Sequence, residues 1–177
     1  MYERIDENIK NREKLGNWTF MHCARVSSLA GKIAEEMGYS KIYIKKIENA
    51  AMLHDIGKID IPSEIINKKS PLTLEEFEKM KNHTIYGEKY TNNVFVKNVI
   101  KYHHEKYDGT GYPYGLKGEE IPLEARIVTV ADVYDALANS RPYKPAWEIQ
   151  HIINFFKSDT ESFDPKVKKA LLKIIDN

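Results

Sequence analysis

Five of the six histidines in this 177-residue chain combine with two aspartates into a set whose side chains suit a divalent metal ion. The densest part is the stretch His54-Asp55-Ile56-Gly57-Lys58, which holds an imidazole, a carboxylate and an ammonium group within five positions. Imidazole and carboxylate together suit zinc, manganese or iron, and a site without thiolates differs from a structural zinc site. The set predicts a metal-centred phosphohydrolase. Its candidate ligands are His22, His54, Asp55, His83, His103, His104 and Asp132.

The number of candidate ligands is right for two ions that share Asp55. The set would then occupy about eight of the roughly twelve positions around two six-coordinate ions, leaving about four for water and substrate. This is the layout of a two-metal hydrolase, with ions on the order of 3.5–4 Å apart. Lys58 lies one turn after His54, where it could bind a phosphate or protonate a leaving oxygen. The alternative for Lys58 is a solvated surface lysine.

The composition and length of the chain limit the kinds of partner and environment that this protein is expected to have. Lys and Arg number 27 against 26 Asp and Glu, so the formal charge of +1 gives no sign of a nucleic acid polymer or a membrane surface as partner. The length suits one domain, and no apolar run approaches a membrane span. The single Cys23 excludes an internal disulfide, is compatible with the cytosol, and is expected to be a small buried apolar residue.

The apolar residues near the first candidate ligands recur with the spacing of α-helices. Apolar residues from Trp18 to Met37 recur at helical intervals, with His22 on their face, and Gly38 is expected to end this helix. Residues 1–15 are read as an N-terminal extension or linker helix. Ser40 is a candidate N-cap for a second helix that would continue into the His54-Asp55 pair. The partial negative charge at the end of such a helix favours a cation.

The following segments are also predicted to be helical. Thr73 and Glu76 form a capping box that predicts a helix over about 74–81, with His83 just after it. Residues 94–102 are rich in β-branched residues, but their helical neighbours favour a helix leading to His103 and His104. The loop 108–115 has three glycines able to take positive φ.

The last third of the chain completes the prediction of the fold. Pro122 opens a helix in which Asp132 lies among apolar residues, where a carboxylate is costly to bury unless it is paired or bound to metal. Two amphipathic helices are expected at about 146–157 and 165–175. The predicted fold is all-α: a single compact domain over residues 1–177, with about seven to eight helices around a metal centre.

At this point the motifs resemble a known family. His54-Asp55-Ile56-Gly57-Lys58, His103-His104-Glu105 and Gly111-Tyr112-Pro113 are similar to those of HD-GYP domains, a branch of the HD metal-dependent phosphohydrolases. The resemblance continues through the stretch 131–137 and Arg141-Pro142-Tyr143, and covers roughly residues 18 to 145.

The resemblance implies an all-helical domain with two or three metal ions, usually iron or manganese, with zinc and nickel as alternatives. The implied reaction is hydrolysis of the bacterial second messenger cyclic di-GMP to pGpG, sometimes on to GMP, in the bacterial cytoplasm. It also implies roles for individual residues: the seven candidate ligands hold metal, Asp55 and Lys58 are catalytic, and the substrate is bound by Lys58, Gly111, Tyr112, Arg141 and Lys144. The loop of Gly111, Tyr112 and Pro113 lines the site or contacts partners such as diguanylate cyclase (GGDEF) domains, and Pro113 can equally be a rigid structural turn.

Three positions depart from the family pattern. Trp18 stands where members with a third metal have a glutamate, so two metals are expected. The segment between His83 and His103 is shorter than usual. Lys144 replaces a commoner arginine and would bind phosphate as a point charge rather than through two parallel hydrogen bonds.

Four functions remain open on the sequence alone. The leading hypothesis is a cyclic dinucleotide phosphodiesterase, with cyclic di-GMP favoured over cyclic GMP-AMP as the substrate. The others are a phosphohydrolase for another nucleotide, a di-iron oxygenase, and a regulatory module that binds partners through the Tyr112 loop.

Overall fold

The structure, a computed structural model, describes residues 3–140, 145–159 and 161–176, with side chains described from residue 15 onwards. All regular structure in these ranges is helical, which confirms the all-α prediction. Seven helices are longer than one turn, and α3 and α5 are single turns. The helices are α1 Glu3–Glu36, α2 Lys41–Ala51, α3 Ser63–Ile66, α4 Leu74–Lys81, α5 His83–Tyr86, α6 Val94–Tyr102, α7 Leu123–Ala138, α8 Ile149–Ser158 and α9 Pro165–Ile175.

Helix α1 packs against α2 and α7, and these three helices contribute much of the core, which α6, α8 and α9 complete. Their buried faces contribute Val26, Ile33, Ile47 and Val128, each without solvent exposure. The backbone of α1 is interrupted at Gly16, whose φ of 76° and ψ of 151° are not helical. The reading of residues 1–15 as an extension stays a prediction.

Helix ends match the capping signals in the sequence. The Thr73 hydroxyl accepts from the Glu76 N–H at 3.2 Å and the Glu76 carboxylate accepts from the Thr73 N–H at 2.7 Å, so the predicted capping box starts α4. The Asn93 side chain accepts from the N–H groups of Phe95 and Val96, which begins α6. This cap explains why a run of β-branched residues forms a helix, as predicted.

Helix α2 ends earlier than predicted. It stops at Ala51, and His54-Asp55 lies in the turns between this end and a 3-10 helix, Ile56–Asp60. The turn directs both side chains towards α1 and α7. Helix α8 begins at Ile149, later than expected, and α9 covers the predicted range. None of the described helices is long and apolar enough to cross a membrane.

Candidate metal centre

The seven predicted ligands converge between α1, α7 and the turns that follow α2, α4 and α6. Their ligand atoms form two donor groups, in each of which all atoms lie within 4.8 Å of one another. The His22 group consists of His22, His54 and Asp132, and the His83 group consists of Asp55, His83, His103 and His104.

Asp55 connects the two groups through its two carboxylate oxygens. Its Oδ2 lies 3.7 Å from Nε2 of His22 and 3.4 Å from Nε2 of His54. Its Oδ1 lies 3.4 Å from Nε2 of His83 and 3.8 Å from Nε2 of His103. Asp55 is only 1% exposed, so both oxygens face the protein interior rather than solvent. This is the geometry of a carboxylate able to bridge two cations.

Hydrogen bonds at the far side of the rings determine which nitrogen faces the centre. The Nδ1 of His54 lies 2.7 Å from the Ala51 carbonyl, and the Nδ1 of His83 lies 2.6 Å from the Met80 carbonyl. The Nδ1 of His103 is 3.0 Å from two carbonyls of α6. A carbonyl oxygen only accepts, so each Nδ1 carries a proton and each Nε2 faces the centre, where the neutral rings of His83 and His103 direct their lone pairs.

Several polar atoms in the centre have no suitable hydrogen-bond partner in the protein. Within the described part of the chain, Nε2 of His54 and Oδ1 of Asp55 are buried and have no hydrogen-bond partner. The Nε2 atoms of His83 and His103 are 3.4 Å apart, although both carry lone pairs. Buried polar atoms without partners are costly, and facing lone pairs repel. A cation between these atoms would remove both costs, so the donor set fits divalent metal ions.

The His83 group holds neutral imidazoles. Burial lowers the pKa of His83 to about 4, with Lys58 adding to the effect against the charge of Asp55. Burial and the neighbouring His83 lower the pKa of His104 to about 3. Burial and the surrounding histidines also hold the pKa of His103 well below its usual value. Metal binding requires unprotonated imidazole, and these rings supply it at neutral pH.

The carboxylates are ionised despite their burial. Burial alone would raise the pKa of Asp55, but the charges of Lys58 and His54 hold it well below the ordinary value. Burial opposes the shift at Asp132 as well, where the hydrogen bond and charge of His22 lower its pKa strongly. In the His22 group, burial would lower the pKa of His22, but hydrogen bonds to Asp132 and Asp135 raise it. Protons therefore compete with a metal ion more strongly at the His22 group than at the His83 group.

Lys58 belongs to the centre. Its Nζ lies 2.5 Å from Oδ2 of Asp55, and its side chain is only 21% exposed. Burial would lower its pKa, but the Asp55 carboxylate raises it, so the ammonium group stays charged. The alternative of a solvated surface lysine is therefore wrong. The tight 3-10 turn is possible because Gly57 has no side chain: a Cβ there would lie 1.9 Å from the His83 carbonyl oxygen.

The loop after α6 closes one side of the centre. Buried Glu105 accepts hydrogen bonds from the N–H groups of Tyr114 at 2.7 Å and Leu116 at 3.2 Å. The ring of Tyr112 stacks on that of His104, with centroids 4.7 Å apart and an interplanar angle of 25°. The Glu105 hydrogen bonds thus hold a signature-loop side chain against a candidate ligand.

The glycines of this loop have different roles. Gly109 and Gly115 take positive φ, at 85° and 67°, as anticipated for the loop. Gly111 does not. Glycine is required at position 111 because the backbone of residues 104–106 passes close to it: a Cβ there would lie 2.3 Å from the Lys106 nitrogen and 2.6 Å from the His104 carbonyl oxygen.

Some residues of the centre were missed by the sequence patterns. Asp135 accepts from Nδ1 of His22 at 2.7 Å and is itself bound by Arg25. The available signal was its position one turn after Asp132 on α7. Cys23 is buried as expected, but its Sγ also lies within 4.8 Å of ligand atoms of His54 and Asp55, so a thiol adjoins a site whose predicted ligands contain no sulfur.

Two further predictions concern the edge of the centre. Trp18 stacks on His22, with ring centroids 5.7 Å apart and an interplanar angle of 9°. An indole is not a metal ligand, so this position adds no donor to the His22 group. Arg141 and Lys144, the predicted phosphate-binding residues, lie outside the described residues.

Comparison with known proteins assigns the family. The family model of the HD domain matches residues 9–167. The chain belongs to the HD domain family. The predicted membership of the HD-GYP branch is also confirmed by the relatives and by the Gly111-Tyr112-Pro113 loop.

Two relatives of this HD domain have been assigned different cyclic dinucleotides. The cyclic di-GMP phosphodiesterase response regulator RpfG of Xanthomonas campestris pv. campestris is 45% identical over 84% of this chain and 41% of its own length. The 3'3'-cGAMP-specific phosphodiesterase 2 of Vibrio cholerae is 35% identical over 88% of this chain and 31% of its own length. The chain thus spans less than half the length of either relative.

A solved structure supports the fold. Bd1817, described as an HDG"Y"P protein from Bdellovibrio bacteriovorus, superposes with a TM-score of 0.72 over 89% of this chain and 52% of its own. Its sequence is 21% identical to this one. The similarity shows that the helices of this HD domain are arranged as in an experimentally determined relative.

Proposed function

We propose that this HD domain is a metal-dependent phosphodiesterase that hydrolyses cyclic di-GMP to pGpG. The observation that carries the proposal is the placement of Asp55, whose two oxygens face two separate groups of imidazole donors while Lys58 contacts one of those oxygens. Such an arrangement suits two-metal hydrolysis of a phosphate ester. The identity to a cyclic di-GMP phosphodiesterase, 45% over most of the chain, supports the choice of substrate.

The proposed cofactors are two divalent ions, one for each donor group, with iron or manganese favoured and zinc or nickel as alternatives. The His22 group offers two imidazoles and a carboxylate, and the His83 group offers three imidazoles and the shared Asp55. Trp18 supports two ions rather than three, because an indole ring occupies the position from which a glutamate would reach a third. The proximity of Cys23 widens the range of metals that the centre could accept.

Bound divalent ions would supply positive charge to polarise the phosphodiester and to lower the pKa of an attacking water. The protein contributes the orientation of the ligand atoms and a charged lysine. In the proposed role, the Lys58 ammonium group binds a phosphate oxygen and passes a proton to the leaving 3' oxygen as the P–O bond breaks. Its contact with Asp55 supports this role, because it keeps the ammonium group protonated beside the centre.

Cyclic GMP-AMP is the second candidate substrate, and the Vibrio cholerae relative specific for 3'3'-cGAMP supports it. Gly111, Tyr112, Arg141 and Lys144 are the proposed substrate contacts. Since cyclic di-GMP is a bacterial second messenger, the proposed activity belongs in the bacterial cytoplasm. A GGDEF-domain partner at the signature loop is a separate proposal, supported by Tyr114 at the end of the loop, which is 56% exposed.

Product analysis by chromatography tests the function. The chain loaded anaerobically with Fe(II) or Mn(II) is incubated with cyclic di-GMP, and we expect pGpG to form and to disappear on chelation. His54→Ala should abolish hydrolysis and lower the metal content. The matched control is His151→Ala, because His151 is the one histidine outside the set and is exposed on α8.

The proposal fails if the chain with two metals bound forms no product from cyclic di-GMP. Product from cyclic GMP-AMP alone would move the assignment to that substrate. Undiminished hydrolysis by a folded, metal-poor His54→Ala variant would contradict the two-metal mechanism itself.

A further inference from the structure

Helix α4 presents an aromatic side chain beside the metal centre instead of burying it in the core. No residue of α4 is fully buried, and Phe77 is 43% exposed. Its ring meets the ring of Tyr112 at an interplanar angle of 79°, with centroids 6.3 Å apart. An exposed phenylalanine on a surface helix is common by itself, but this one adjoins the loop that closes the centre.

A cation adjoins both rings. Lys81 lies one turn after Phe77 on the same face of α4, and its Nζ is 5.3 Å from the Phe77 centroid and 5.6 Å from the Tyr112 centroid. The same Nζ lies 2.6 Å from Oε1 of Glu78, whose side chain is 67% exposed. Ion pairs in contact with solvent are weak, so a ligand can displace this one. Phe77, Lys81 and Tyr112 together are called the aromatic platform below.

The aromatic platform is attached firmly to the metal centre. Tyr112 stacks on His104, which is itself a candidate metal ligand, so the aromatic contacts run from the platform to the centre. At the end of α4, the Met80 carbonyl accepts the Nδ1 proton of His83, and the Lys81 carbonyl accepts from the Thr84 hydroxyl at 2.9 Å. The helix that carries Phe77 and Lys81 therefore also orients a metal ligand, which fixes the distance between platform and centre.

On the basis of the proposed function, we propose that the aromatic platform binds one guanine base of the cyclic dinucleotide while the phosphates occupy the metal centre. Aromatic rings bind nucleobases by stacking, which tolerates any base. Lys81 adds selectivity, because guanine presents two acceptors, O6 and N7, on one edge. Adenine presents the N6 amino donor in place of O6, and an ammonium group repels it. Phe77 and Lys81 are thus specificity-determining residues of the site.

Steady-state kinetics with cyclic di-GMP and cyclic di-AMP test the inference, with metal content measured for each variant. Phe77→Ala should raise KM for cyclic di-GMP about tenfold with little change in kcat, because one stacking surface is lost. Phe77→Trp should keep a KM close to that of the unsubstituted chain, since an aromatic ring is retained. Lys81→Met should reduce the preference for cyclic di-GMP over cyclic di-AMP by about tenfold.

Two substitutions on the same helix are matched controls. Leu74 is 87% exposed at the start of α4, and Lys79 pairs with Glu75 at 2.7 Å. Leu74→Ala and Lys79→Met remove an apolar and a charged side chain outside the platform, so both should leave KM unchanged. Equal KM values for Phe77→Ala and the unsubstituted chain, at equal metal content, would overturn the inference.

Failure of the proposed function is a separate outcome. If the unsubstituted chain hydrolyses no cyclic dinucleotide, the proposed function is wrong, and the aromatic platform is then tested by calorimetric titration with GMP. Weaker binding of GMP by Phe77→Ala than by Leu74→Ala would support a guanine subsite. Equal affinities of these two variants, or no binding by the unsubstituted chain, would overturn it.

Discussion

The Nδ1 atom of His22 lies 2.7 Å from Oδ2 of Asp135, and the same carboxylate is held in place by Arg25 through contacts of 2.6 and 3.0 Å. A carboxylate accepts the Nδ1 proton and so leaves the Nε2 lone pair of His22 directed at Asp55 and Asp132. Asp135 is thus a positioning residue: it sets the tautomer and the orientation of the His22 ring.

The first prediction follows from this pair. In Asp135→Asn the amide can donate to Nδ1, which moves the proton of His22 to Nε2 and removes its lone pair from the centre. We expect the affinity of the His22 group for Mn(II) to fall about 10- to 100-fold, and that of the His83 group to change little. Isothermal titration calorimetry would measure both.

Asp176→Asn provides the comparison, because Asp176 is a carboxylate in an exposed ion pair with Lys157. It should leave both affinities unaltered. If Asp135→Asn lowers thermal stability but leaves the two metal affinities as they were, Asp135 has a structural role alone.

The second prediction concerns the contact of Gly57 with the backbone at the first residue of α5 and just after its end. A Cβ at Gly57 would lie 1.9 Å from the His83 carbonyl oxygen and 2.6 Å from the Gly87 nitrogen, and backbone atoms cannot move aside as a flexible side chain does. Gly57→Ala should therefore lower the free energy of unfolding by about 3 kcal/mol and displace His83. Chemical denaturation and metal content would report the two effects.

Gly31→Ala separates this contact from a general effect of adding a methyl group. The atoms nearest to a Cβ at Gly31, at 2.9 Å and 3.0 Å, belong to the Glu48 side chain, which can rotate away. Alanine also favours the helical backbone over glycine by about 1 kcal/mol. A stable, metal-replete Gly57→Ala variant would mean that the 3-10 turn can be rebuilt without cost.

The third prediction is a difference in pH dependence between the two donor groups. With pKa values of about 4 for His83 and about 3 for His104, protons do not compete for the His83 group until well below neutral pH. The pKa of His22 is raised, so protons compete for the His22 group already near neutrality. Lowering the pH should therefore weaken metal binding at the His22 group first.

Two variants isolate the groups for this measurement. His22→Ala leaves the His83 group, whose Mn(II) affinity should be nearly constant from about pH 8 to about pH 5.5. His83→Ala leaves the His22 group, whose affinity should fall by roughly tenfold per pH unit at the acid end of that range, as one proton is displaced for each metal bound. Parallel pH profiles for the two variants would contradict the assignment of protonation states.

Local signals in the sequence predicted most of the helices. Thr73 and Glu76 determine the start of α4 by hydrogen bonds within one turn, and the range 74–81 follows from them. This helix start depends on short-range contacts alone. The seven candidate ligands were identified from their imidazole and carboxylate side chains, which suit a divalent metal ion, and from the resemblance to HD-GYP domains.

The remaining features depend on contacts between distant segments. The hydrogen bonds from Asp135 to His22 and from the Tyr114 N–H to Glu105 exist only once the helices have packed. The need for glycine at position 111 is of the same kind: it arises from the neighbouring backbone of residues 104–106, rather than from the φ angle that the loop composition suggested. The end of α2 before His54 likewise reflects the packing of the following turn against α5.

The dispersal of the ligands along the chain has a consequence for maturation. In an unfolded chain only His54-Asp55 and His103-His104 are neighbours, so no segment alone offers more than two donors of the centre. The His22 group exists only after α1 and α7 have come together, and the His83 group only after the turns that follow α2, α4 and α6 have met. A metal that prefers the native state adds about 2.7 kcal/mol to the free energy of unfolding at a concentration a hundred times its Kd. Metal binding would therefore be a late step of maturation that stabilises only those molecules in which residues from both halves of the sequence have already packed together.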